Sequence, residues 1–92
     1  MIQKIPPSAK KYPLYLITWR DAQSEAGWES IEKIRKWSEE DCIIYDIGWI
    51  VCESKNYIVI TSQICKTDSG DLGSKTKIPV GMILKRQKLQ FK

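Results

Sequence analysis

Histidine is absent from all 92 residues. Without it no Ser-His-Asp or Cys-His constellation forms, and the commonest zinc ligand is missing. Cysteine is scarce: Cys42, Cys52 and Cys65 stand ten and thirteen apart, with no C-x-x-C pair. No structural zinc site is expected from that spacing. An odd set of thiols reads instead as small, reduced strand residues of a cytosolic protein. Every apolar run stops after a few residues, far short of the ~20 that cross a bilayer. Met1–Ile5 leads into Pro6-Pro7 and Lys10-Lys11, where a signal peptide would carry an apolar stretch. Neither Gly70 nor Gly73 is followed directly by a Walker lysine, and no G-x-G-x-x-G occurs. Asp68-Ser69-Gly70-Asp71 resembles a calcium loop but lacks its further acids and closing glutamate, so it reads as a turn. Asp21, Glu25 and Glu29 are close in sequence, whereas catalytic carboxylates converge from separate elements. No metal, no cofactor and no catalytic activity are expected.

What is present fits one small folded domain. Hydrophobic residues make up 42% and charged residues 28%, ordinary for a globular chain. A chain of this length buries little more than ~60% of its unfolded surface, enough for one thin core.

The net charge of +4 is unevenly spread. Residues 1–12 hold Lys4, Lys10 and Lys11 without an acid, and residues 75–92 hold six bases without an acid. The ends therefore carry +9 and the middle −5. Ends that meet in the fold would give a basic side and an acidic side, suited to anion binding or self-association.

Residues 1–12 read as a flexible basic arm and 13–92 as a single domain. Leu14–Arg20 is rich in β-branched and aromatic residues and reads as a strand. The periodicity of Trp28, Ile31, Ile34 and Trp37 predicts a helix over 28–38, with Glu29–Lys33 and Glu32–Lys36 pairs on its other side. So short a helix is marginal alone and is expected to dock on the sheet, burying Trp28 and Trp37. Cys42–Glu53 predicts a long strand bent at Gly48. A turn at Ser54-Lys55-Asn56 joins it to Tyr57–Cys65 in an antiparallel hairpin. Lys66–Thr76 reads as a mobile loop. Ile78–Ile83, broken by Pro79 and Gly81, reads as the single turn before a closing strand, Leu84–Phe91, whose edge is guarded by charge.

A strand, a broken turn and a closing strand make the usual end of an SH3-like barrel. The expected fold is mostly β with one α-helix, an SH3-like or Sm-like partly open barrel with the helix across one end. The alternative is an α+β antiparallel sheet with the helix on its face.

Four tryptophans in such a chain invite a binding reading. Trp19 and Trp49 sit in strands beside polar residues, and Gly48 leaves room for a flat ligand against Trp49. Aromatic stacking with nearby bases is how nucleotides are held. The candidate ligand-binding set is Trp19, Arg20, Trp49, Lys85, Arg86 and Lys88.

Thr18-Trp19-Arg20-Asp21-Ala22, Gly27-Trp28, Gly48-Trp49-Ile50-Val51-Cys52-Glu53 and Ile78-Pro79-x-Gly81-Met82-Ile83 together resemble a family of small uncharacterised tailed-bacteriophage proteins. Those carry a W-x-D-A…G-W…G-[FW]-x-V-x-E…I-P-x-G-x-I pattern, matched here across residues 18–84. The resemblance implies a phage accessory protein acting in the host cytoplasm. The chain is also similar in size to the oligomeric sponges with which phages sequester nucleotide second messengers. The resulting expectation is a homo-oligomer that binds a small anionic nucleotide, without membrane association. Two alternatives are a nucleic-acid-binding barrel using the same basic strand and arm, and a protein–protein inhibitor of a host factor.

Overall fold

The computed structural model describes residues 5–67 and 69–90. Residues 1–4 of the expected basic arm, Asp68 of the expected loop, Phe91 at the end of the expected closing strand, and Lys92 lie outside them. Five strands, β1 (Leu14–Asp21), β2 (Cys42–Glu53), β3 (Tyr57–Ile64), β4 (Leu72–Pro79) and β5 (Ile83–Leu89), form one antiparallel sheet in the order β4-β3-β2-β1-β5. The described residues are mostly β with one α-helix, and the sheet does not close: β4 and β5 are its two edges, joined by a 3₁₀ turn at Val80–Met82.

The alternation of apolar residues sets the core. Ile17, Ile50, Ile58, Ile60 and Ile78 are buried together, with Tyr15, Trp19 and Ile83 packed against them. Five isoleucines make a small core, in keeping with the length of the chain. Two register shifts curl the sheet, one between Thr18 and Trp19 against β5 and one between Ile50 and Cys52 against β3. The irregularity in β2 thus falls at Val51 and not at Gly48. Gly48 serves a close approach instead: a Cβ there would lie 2.8 Å from the Thr61 carbonyl oxygen.

Three segments differ from expectation. Leu72–Thr76 is strand, not loop, because its backbone pairs with β3 from Gly73↔Gln63 to Thr76↔Ile60. The helix, α1 (Ile31–Ser38), starts later than expected, since Ser30 is extended and caps it by accepting from the Lys33 amide at 3.3 Å. Trp28 therefore precedes the helix and is fully exposed, while Trp37 is only half-buried. Nor does α1 dock, for none of its residues is buried. Residues 22–41 leave and rejoin the sheet at the Asp21↔Cys42 rung, and so form an arm. The described residues extend 56 × 28 × 27 Å with a radius of gyration of 17.7 Å, against about 12 Å for a compact chain of this length.

Candidate functional site

Directly opposed residues of an antiparallel pair share a face, so the register sorts the expected ligand set. Tyr15, Ile17 and Trp19 stand on the core face with Arg86 and Lys88 of β5. Leu14, Leu16, Thr18 and Arg20 stand on the other face with Ile43, Tyr45, Ile47 and Trp49 of β2, and Lys85 lies there too. The six residues are thus divided between two faces.

Most of them already have partners. Trp19 donates its indole N–H to Asp46 Oδ2 at 2.8 Å while its ring packs on the core. Arg20 pairs with Asp41 at 3.1 Å, at the base of the arm. Arg86 is held by Glu53 at 2.7 Å and lies 5.2 Å from the centroid of the Tyr15 ring. Glu53 is the main reason the Arg86 guanidinium is more basic than usual. Trp49 donates its indole N–H to the Ala9 carbonyl at 2.9 Å, and the Ile50 amide bonds the Pro13 carbonyl. These two bonds bring the N-terminal segment, including its 3₁₀ turn at Pro7–Lys10, to the sheet. Lys85 and Lys88 are exposed.

Anchoring that segment builds a site the residues alone do not reveal. Leu14 pairs with Leu89 and Tyr15 with Lys88, so the two basic ends of the chain meet beside one another. Between them lies an open cleft of about 670 Å³ lined by Lys10, Lys11, Tyr12, Leu14, Lys88 and Leu89, among others. Among the described residues no acid lines it. Lys11 Nζ stands 5.5 Å from the Tyr12 ring centroid, a cation–π distance. Three lysines, a half-buried tyrosine and two leucines at this edge of the sheet offer charge to an anion and apolar area to a flat group. Of the expected ligand residues, only Lys88 lines this cleft. Lys10, Lys11 and Tyr12 join it, and the signal for them was the matching basicity of the two chain ends.

No family model, no curated protein and no solved structure matches the chain.

A second cleft, of about 680 Å³, runs beside Trp49 but is lined by Asp71, Ser62 and Gln63 without a base. It is a poorer seat for an anion. Among the described residues no group of three or more His, Cys, Asp or Glu could hold a metal ion. None of the helices in the described residues is long and apolar enough to cross a membrane.

Proposed function

We propose that this protein binds and sequesters a small anionic nucleotide without transforming it, the phosphate seated among Lys10, Lys11 and Lys88 and the base against Tyr12. The observation that carries the reading is the meeting of both basic chain ends beside Tyr12, in a cleft that no acid among the described residues lines. A phage origin and action in the host cytoplasm rest on the family resemblance of residues 18–84, and sequestration against a host defence rests on the likeness in size to the oligomeric nucleotide sponges. Of the two candidates Arg86 and Lys88, Lys88 is the one assigned to phosphate, since Glu53 already pairs with Arg86.

Stacking contributes ~1–3 kcal/mol per base, and a hydrogen bond to a charged group about 1.5–3. Loss of either should weaken binding roughly tenfold or more. Calorimetry against cyclic dinucleotides, mononucleotides and short single strands, with Tyr12→Ala and Lys88→Ala beside the parent, tests this. A parent that binds none of the panel, or variants that bind like it, would overturn the reading. Salt separates the nucleic-acid alternative. Each neutralised phosphate of a single strand adds ~0.7 to the slope of log affinity on log salt. A slope well above that of three contacts would mean a longer strand is the ligand.

A further inference from the structure

Two apolar surfaces lack cover among the described residues. The first is on the arm: Trp28 is 102% exposed, Ile31 58% and Ile34 43%. Ile31, Ile34 and the half-buried Trp37 recur every three residues and so share one side of α1. The second is the middle of the sheet, on the face away from the isoleucine core. There Tyr45 is 72% exposed and Ile47 61%, with Ile43 beyond them and Leu16 beside Ile47 on β1. These residues lie on the central strand β2 and its neighbour β1, where an open sheet ordinarily packs a second layer.

We infer that a second copy of this chain supplies that layer, each arm laying its Trp28, Ile31 and Ile34 across the Tyr45–Ile47 face of the other copy. Three observations select this occupant. Charge is complementary: residues 22–41 carry six acids against three bases, a net −3, while the rest of the chain carries +7. Lys85, opposite Thr18 of β1, lies on the face to be covered. Shape agrees as well, because the arm reaches away from its own sheet and gives the molecule a 56 Å long axis. Area agrees too. An aromatic side chain buries about 150–250 Å², so Trp28 and Tyr45, with the isoleucines around them, approach the ~800 Å² that each partner gives to a standard interface. A two-fold pair makes the contact twice, which closes the assembly and leaves neither arm bare. An eight-residue helix also gains the tertiary support that so short a helix requires.

This inference is independent of the nucleotide reading, whose cleft lies at the far end of β1 from the arm. Sedimentation equilibrium of the full chain tests it. The parent should run at twice its 10.7 kDa mass at micromolar concentration. Ile34→Glu on the arm, and separately Tyr45→Glu on the sheet, should each raise the dimer dissociation constant at least tenfold, with circular dichroism like that of the parent. An equimolar mixture of the two variants carries one intact arm–sheet contact and should recover a heterodimer that neither forms alone. A parent of monomer mass, or variants that dimerise as tightly as the parent, would overturn the inference. If a variant fails to fold, chemical cross-linking of the parent decides: it should join Lys33 or Lys36 of one copy to Lys85 of the other, and links confined within single copies would refute the exchange.

Discussion

Gly48→Ala sets a rule of thumb against a close approach in the fold. Glycine inside a strand costs roughly 0.5–1 kcal/mol relative to alanine, so sequence alone favours the substitution. The structure reverses the sign. The new Cβ would stand 2.8 Å from the Thr61 carbonyl oxygen and 3.3 Å from Ile60 Cβ. The oxygen belongs to the backbone of β3, and Thr61 and Ile60 are both buried, so neither neighbour swings aside. Overpacking of this kind costs typically ~1–3 kcal/mol. Net of the glycine gain, the variant should lose about 1–2 kcal/mol, lowering the melting temperature by ~5–15 °C in a domain of this size. Two controls isolate the cause. At Gly27 the added Cβ meets nothing within 4 Å, and Gly27→Ala should change stability by less than ~0.5 kcal/mol. At Gly73 the atom met at 2.8 Å is the Gln63 side-chain oxygen, which can rotate away, so Gly73→Ala should cost less than Gly48→Ala. Thermal unfolding followed by circular dichroism gives all three values. A Gly48→Ala protein that melts at or above the parent would refute the close packing of β2 on β3.

The buried Thr61 hydroxyl contacts the carbonyls of Gln63 and Gly73; Thr61→Val leaves them short of a donor and should cost about 1–3 kcal/mol in urea unfolding, with an unchanged midpoint counting against that role. Trp49→Phe removes the bond to Ala9, so trypsin should cleave after Lys10 and Lys11 faster than in the parent, and equal rates would mean that the indole does not anchor the segment. The exposed Cys65 thiol is held below its usual range chiefly by the Thr67 hydroxyl at 3.1 Å. At pH 8 more of it is therefore thiolate, and Thr67→Val should slow its alkylation; mass spectrometry of the modified peptide would show no change if the hydroxyl were idle.

The strands that bury residues were legible. Tyr57–Ile64 alternates cleanly, and Ile58 and Ile60 both enter the core. Leu72–Thr76 escaped because Gly73, Ser74, Lys75 and Thr76 show no apolar alternation; this edge segment is a strand by virtue of its backbone pairing with β3. Periodicity found the helix and its sticky side, but it counted Trp28, which the extended geometry of Ser30 leaves outside. An amphipathic pattern says that a face needs cover without saying which surface provides it, and so the expected docking on the chain's own sheet did not appear. Lys88 was read from its strand. Lys10, Lys11 and Tyr12 became its neighbours only through the β1–β5 pairing, a contact between segments that no local pattern encodes.

That pairing also orders events during synthesis. Strands β2, β3 and β4 follow one another through short connections and can assemble as they emerge. One edge of β1 has no partner until β5 is made, since Leu14 waits for Leu89, 75 positions later. At ~5–20 residues per second the ribosome takes about 4–15 s to supply it. Once β2 is complete at Glu53, for about the last 2–7 s of that interval, the nascent sheet shows a bare edge that carries Leu14, Leu16 and Ile17, and an exposed strand edge is a template for wrong pairing. Crowded translation, with several chains at that stage on one message, is where this fold is most exposed to aggregation.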